Sequence, residues 1–136
     1  MQTILYRTFP ALFFLFSVTL RGQSYDTLRV MSYNLTNYGN NISPCTAANN
    51  GLTLKNPAFK TIMQHVKPDI LGVCEMNTNP VVAGNFLSNV LNTDGISYYQ
   101  RSAQVVEPSG TITSILYYNG NKVLGLFFLV TSYTSE

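Results

Sequence analysis

The stretch KPDILGVCEMN, residues 67–77, decides the fold because it contains a signal that ends a helix, then a strand, and then a polar residue at the end of that strand. Pro68 is expected to end a preceding helix, since the residue before a proline is disfavoured in the helical conformation. Residues 70–76 are almost continuously apolar, which predicts a strand covered on both faces, as in a parallel sheet. Glu75 then lies at the carboxyl end of that strand.

A helix and a first strand are predicted upstream of this stretch. Asn56 and Pro57 predict the helix start, because Asn caps helices and Pro suits the first helical position. Residues 27–33 (TLRVMSY) predict the strand, with bulky side chains on both faces, and residues 34–50 a polar loop. The helix carries one apolar face, formed by side chains at i, i+3, i+4 and i+7: Phe59, Ile62, Met63 and Val66.

Downstream, residues 82–91 repeat apolar side chains every four residues, which predicts a second amphipathic helix. Three extended pieces follow, at residues 98–101, 111–118 and 123–130, the last two joined by a hairpin turn at Asn119-Gly120. Strands that alternate with helices and end in a hairpin are typical of the α/β class.

Residues 1–24 have the features of a secretory signal peptide. Arg7 supplies the positive charge, residues 9–20 (FPALFFLFSVTL) the apolar core, and residues 22–24 (GQS) the small residues before cleavage. The alternative is an uncleaved membrane anchor, but Arg21 ends the apolar run short of the roughly 20 residues that a spanning helix needs. We therefore expect a secreted or periplasmic protein without a stable membrane anchor after cleavage, in which residues 25–136 belong to one domain at most.

Composition constrains the partners of the mature chain. The chain has eight Lys and Arg and six Asp and Glu, and two of the basic residues, Arg7 and Arg21, lie in the leader, so the mature part is about neutral. Nucleic-acid binders usually present a basic face, for which this composition gives no support. In an oxidising compartment Cys45 and Cys74 could pair, but we expect structural roles for both, because two widely spaced cysteines do not make a zinc site.

Two polar side chains mark the carboxyl ends of the first two predicted strands, Asn34 and Glu75. If these strands are parallel neighbours, both side chains lie at the same edge of the sheet, where open α/β sheets bind ligands. Taken singly, each has a simpler explanation, since a Glu at a strand end is usually a solvated rim residue and an Asn there a turn former. His65 is expected to be a surface residue of the helix rather than a catalytic base.

The two segments together resemble the opening signature of the endonuclease/exonuclease/phosphatase superfamily. Val30-Met31-Ser32-Tyr33-Asn34 is similar to the family's V-x-S-Y-N, and residues 68–75 (PDILGVCE) to its P-D-I-[IL]-x-L-Q-E, with Cys74 in place of the usual Gln. The resemblance implies a four-layer α/β sandwich of which this chain holds the first half. It implies that Glu75 binds catalytic Mg²⁺ (or Mn²⁺), that Asn34 belongs to the same catalytic and metal site, and that the substrate is a phosphoester, either nucleic acid or a small phosphodiester.

The resemblance stops before the family's later motifs. Three later features of the family do not occur here: the Asp-x-Asn in mid-domain, the late Asp-His pair and the His that serves as general base. The only histidine of the chain is His65. We therefore expect a truncated, catalytically incomplete phosphoesterase, or alternatively a secreted binding module on the same scaffold without catalysis. Half of such a fold would expose an apolar sheet face, which predicts self-association.

Overall fold

The computed structural model describes residues 27–42 and 44–123. The predicted signal peptide, residues 1–24, and nearly all of the predicted last strand, residues 123–130, lie outside them. The elements in chain order are β1 (Val30–Tyr38), α1 (Ala47–Asn50), α2 (Leu52–Val66), β2 (Ile70–Asn77), α3 (Pro80–Phe86), a π-helical turn (Leu87–Leu91), β3 (Tyr99–Arg101), β4 (Val105–Val106) and β5 (Ile112–Asn119).

The strands form one five-stranded mixed sheet in the order β1-β2-β5-β3, with β4 also paired to β5. β1 and β2 are parallel, in register from Val30 opposite Ile70 to Asn34 opposite Cys74, and α2 connects them. β5 runs antiparallel to β2, β3 and β4. The predicted α/β class and the parallel pairing of the first two strands are confirmed.

β5 has neighbours along both edges. β2 pairs with its whole length on one side, while β3 and β4 pair with residues 117–119 and 113–114 on the other. After Asn119 the chain makes a tight turn, in which the N–H groups of Lys122 and Val123 both bond to the Asn119 carbonyl.

The start of α2 corrects the prediction at Asn56-Pro57. The helix begins at Leu52, after an extended Gly51, so that Pro57 lies inside it. Asn56 does not cap the helix because its side chain is engaged elsewhere, accepting a hydrogen bond from the Tyr38 hydroxyl and donating to the Asn85 side chain. The predicted apolar face is confirmed, since its central side chains are buried in the core.

β1 is longer and the loop after it shorter than predicted. The strand continues past Asn34 to Tyr38 and buries Leu35 and Tyr38, and the short helix α1 occupies residues 47–50 of the predicted loop. In this extension Thr36 and Asn37 both have positive φ. The alternation of side chains along a regular strand does not predict such backbone conformations.

The strands bury one face more deeply than the other, so among the described residues the prediction that β2 is covered on both faces is confirmed in full for one face and in part for the other. Leu71, Val73 and Met76 of β2 are buried against the helices, whereas the alternate residues are half-buried. The described helices all lie on the first face. Self-association through the second face stays a prediction.

Four aromatic rings lie at the centre of the core. Phe86 has no exposed surface, and its ring centroid lies 5.3 Å from those of Tyr38 and Tyr117 and 5.9 Å from that of Phe59. The Tyr117 hydroxyl donates to the Ala83 carbonyl at 3.0 Å, and burial raises the pKa of this hydroxyl far above its ordinary value. The predicted second helix forms, but it passes into a π-helical turn at Leu87.

Asp69 ties the amino-terminal edge of the sheet together. It is buried, and its carboxylate accepts hydrogen bonds from the backbone N–H of Arg29 at 2.9 Å and from the ammonium of Lys122 at 3.2 Å. Burial alone would raise the pKa of this carboxyl, but the bonds from Arg29, Lys122 and the Asn119 side chain outweigh burial and hold its pKa below the ordinary value.

We expect this carboxylate to make stability pH-dependent. Because its folded pKa is lowered, its contribution is complete above the ordinary Asp pKa and is lost as pH falls through the folded pKa. Asp69→Asn should cost about 2 kcal/mol of unfolding free energy at neutral pH, as for hydrogen bonds to a charged group, and flatten the acid limb of the stability curve. Urea unfolding from pH 7 to strongly acidic pH measures both, with exposed Glu107→Gln as control; equal acid losses with and without Asp69 would contradict the expectation.

Candidate functional site at the carboxyl end of β1 and β2

Asn34 and Glu75 meet where the regular pairing of β1 with β2 ends. The amide nitrogen of Asn34 donates a hydrogen bond to Oε1 of Glu75 at 2.8 Å. The last regular pair of this ladder is Asn34 opposite Cys74, so both side chains emerge at the same edge of the sheet. The sequence prediction that these two side chains lie side by side on neighbouring parallel strands is confirmed.

Asn34 is held at both ends of its amide. Its Oδ1 accepts the backbone N–H of Thr36 at 2.7 Å, while its Nδ2 donates to Glu75. Because an amide rotated by 180° would lose both bonds, this orientation is fixed by the surroundings. The geometry gives Asn34 a positioning role: it orients one carboxylate oxygen of Glu75. Its predicted role as a metal ligand stays a prediction.

A bulge in β2 turns Glu75 toward the site. Val73 pairs with Ile115 and Met76 with Thr113, so two residues of β2 lie opposite one of β5, and Glu75 has a φ of 57°. Without this bulge, strict alternation would point Glu75 to the same side as Val73, into the apolar core. Because of the extra residue, Met76 occupies the core position, and the Glu75 carboxylate points away from the core.

Positive φ angles cluster around the site. Thr36, Asn37 and Glu75 have φ of 49°, 55° and 57°. Non-glycine residues in this conformation each cost on the order of 1–2 kcal/mol, and such strain concentrates at functional sites. The hydrogen bonds around Asn34 hold this backbone in place.

Lys55, from the first turns of α2, reaches the same place. Its ammonium donates to the carbonyls of Leu35 at 2.8 Å and Thr36 at 2.6 Å. Burial lowers the pKa of Lys55, and the nearby Cys45 and Glu75 oppose that effect only in part. The sequence prediction missed this residue, although one signal was available: a cation near a helix amino terminus is electrostatically unfavourable and calls for a partner.

Asparagine amides brace the loop beside the site. The Asn50 side chain donates to the carbonyls of Asn37 at 2.9 Å and Asn40 at 3.2 Å, and the Asn77 side chain donates to the Gly39 carbonyl at 3.2 Å and to the Asn40 side chain. These bonds join the loop after β1 to α1 and to the end of β2.

The other residues considered from sequence lie away from the site. His65 is exposed in the last turn of α2, next to the start of β2 and therefore at the opposite end of that strand from Glu75. Tyr99 is buried and donates its hydroxyl to the Pro68 carbonyl at 2.7 Å, which makes it a core residue. Cys45 and Cys74 are both free thiols, without a disulfide between them.

The donor set suits a hard, well-hydrated cation. Glu75 is half-buried, and no hydrogen bond from the described residues reaches its Oε2. Across residues 27–42 and 44–123 no group of three or more His, Cys, Asp or Glu side chains could hold a metal. Mg²⁺ is commonly held by one or two carboxylates with water and substrate oxygens completing its shell, so a single oriented carboxylate fits this ion better than it fits zinc.

Comparison with known proteins finds no matching family model, no matching curated protein and no matching solved structure. Among the helices of the described residues, none has the length and apolar character required to cross a membrane. The functional proposal therefore rests on the site geometry and on the sequence motifs.

Proposed function

We propose that this chain carries part of a metal-dependent phosphoesterase site of the endonuclease/exonuclease/phosphatase type, in which Glu75 binds Mg²⁺ (or Mn²⁺) and Asn34 positions it. The observation that supports the proposal best is the 2.8 Å hydrogen bond between these side chains at the point where the regular pairing of two parallel strands ends. That edge is where open α/β sheets bind their ligands.

The chain's own residues divide the work in this proposal. Glu75 supplies the anionic oxygen for the cation, and Asn34 fixes the direction of the carboxylate without adding charge. A bound Mg²⁺ would polarise a phosphoryl oxygen and stabilise the departing oxygen. The bulge and the Thr36 N–H keep both side chains in place before the ion binds, which lowers the cost of ordering them.

The substrate class comes from the family resemblance, and the charge of the chain bears on how that substrate would bind. A phosphoester, either nucleic acid or a small phosphodiester, would bind through the metal because the near-neutral mature part offers few basic contacts. We extend the proposal to the architecture, with the five-stranded sheet as one of two facing sheets in a four-layer sandwich, and to an exported protein with a cleaved leader.

A non-catalytic binding module on the same scaffold is the second candidate. One observation favours it: the single histidine of the chain, His65, is exposed at the opposite end of β2 from Glu75. It is therefore not placed to act as a general base for water attack, which has to lie within hydrogen-bond reach of the proton it removes.

Hydrolysis of bis(p-nitrophenyl) phosphate with and without Mg²⁺ tests the proposal. We expect slow, Mg²⁺-dependent hydrolysis that falls about a thousandfold in Glu75→Ala, since Lewis-acid stabilisation is worth several kcal/mol and each 1.4 kcal/mol is tenfold in rate. Asp94→Ala, which removes an exposed carboxylate that pairs with Lys60, serves as the matched control. Mg²⁺ binding without hydrolysis would support the binding module, and hydrolysis unchanged in Glu75→Ala would refute the enzyme.

A further inference from the structure

We propose that Lys55 is a positioning residue of this site, which holds the turn after Asn34 and through it the Asn34–Glu75 pair. Its effect on metal binding rests on the proposed function above, whereas its effect on the turn does not. Lys55 lies on α2, which is otherwise a connection between β1 and β2, so the proposal ties the site to a third element of the fold.

The contacts form a continuous series from α2 to the carboxylate. The Lys55 ammonium donates to the carbonyls of Leu35 and Thr36, the Thr36 N–H donates to Oδ1 of Asn34, and Nδ2 of Asn34 donates to Oε1 of Glu75. Each of these bonds is 2.6–2.8 Å long. Because Thr36 has a positive φ, its backbone would relax toward a commoner conformation if this series were cut.

Placing the Lys55 ammonium at this position costs free energy unless its hydrogen bonds to the turn offset that cost. Lys55 is half-buried in the first turns of α2, where the helix dipole opposes a cation. Lys60, on the same helix, shows the ordinary alternative, a surface ion pair with Asp94 at 2.9 Å. Two short charge-assisted bonds to the backbone carbonyls of Leu35 and Thr36 are the contacts that offset the cost at Lys55.

Three variants separate positioning from general stability. Lys55→Met removes both bonds while keeping the aliphatic stem, and Lys55→Arg keeps a charged donor and should restore most of the effect. Lys60→Met removes a lysine of the same helix that does not contact the turn, which makes it the matched control. Asn34→Ala cuts the series one step further on.

The first readout is amide hydrogen exchange of Thr36, followed by NMR in the whole chain without metal. In Lys55→Met we expect the Thr36 amide to exchange about tenfold faster, as for loss of hydrogen bonds to a charged group, with little change in Lys60→Met and partial recovery in Lys55→Arg. An unchanged Thr36 exchange rate in Lys55→Met overturns the proposal.

The second readout is Mg²⁺ affinity, measured by calorimetry. Positioning predicts about tenfold weaker binding in Lys55→Met, the lower end for loss of groups that orient a ligand, although removing a nearby positive charge would by itself strengthen binding. Lys55→Met added to Asn34→Ala should cause no further loss. Tighter or unchanged Mg²⁺ binding in Lys55→Met overturns the proposal. Absence of Mg²⁺ binding in the unaltered chain refutes the proposed function. In that case the exchange rate of the Thr36 amide alone decides whether Lys55 holds the turn.

Discussion

Replacing Phe86 by alanine is expected to lower the free energy of unfolding by about 4 kcal/mol, the usual cost of truncating a buried aromatic side chain. Phe86 is fully buried at the centre of the aromatic cluster, with ring centroids of Tyr38 and Tyr117 at 5.3 Å. These neighbours come from β1 and β5, so the cavity would loosen the contacts of α3 with both strands. A domain of ordinary stability, about 5–15 kcal/mol, would lose a large part of it.

Urea unfolding followed by circular dichroism measures this loss. Val81→Ala is the matched control, because Val81 lies in the same helix but is 73% exposed, and its truncation should change stability by less than about 0.5 kcal/mol. Similar midpoints for Phe86→Ala and Val81→Ala would show that the aromatic cluster is not the core of the fold.

The juxtaposition of Asn34 and Glu75 could be predicted because it depends on few quantities. Two apolar strands joined by one helix favour parallel pairing, and parallel strands bring their carboxyl ends to one edge. The hydrogen bond between the two side chains also requires the bulge that turns Glu75 away from the core, which the sequence pattern does not reveal. Strand pattern and element order were therefore sufficient to bring the two residues to one edge of the sheet, but not to set the direction of the Glu75 side chain.

The helix start at Leu52 could not be predicted from local signals. Asn56-Pro57 is a strong local signal for a start, but Asn56 bonds to Tyr38 and Asn85, which are distant in sequence. Tertiary hydrogen bonds therefore override capping preference here, and the Pro is tolerated inside the helix at the loss of one backbone bond.

The bulge at Glu75 is the second feature that sequence reasoning missed. At the bulge the side chains of β2 change the face of the sheet to which they point. The apolar run 70–76 does not reveal this change, because an alternating pattern cannot be recognised where nearly every residue is apolar. Only the pairing of Val73 and Met76 with β5 reveals that two residues oppose one. The same difficulty applies to Lys55, whose partners are backbone carbonyls and leave no trace in the pattern of side chains.

Replacing Glu75 by glutamine is expected to abolish specific Mg²⁺ binding, with affinity reduced by about a hundredfold or more. Glutamine keeps the size of the side chain and an oxygen able to accept the Asn34 bond, but it lacks the negative charge that a hard divalent cation requires. Asn34→Ala should weaken binding by about tenfold, because it removes an orienting group rather than the ligand. Asp94→Asn, at an exposed position where the carboxylate pairs with Lys60, should leave the affinity unchanged.

The location of the bound cation is measured most directly by titrating the ¹⁵N-labelled chain with Mn²⁺, whose unpaired electrons broaden the NMR signals of nearby amides. We predict that the amides of Asn34 and Glu75 broaden first, that those of Asp69 and Asp94 stay sharp, and that the selective broadening disappears in Glu75→Gln. Broadening centred on Asp69 or Asp94, or selective broadening that persists in Glu75→Gln, would contradict a metal site at the carboxyl ends of β1 and β2.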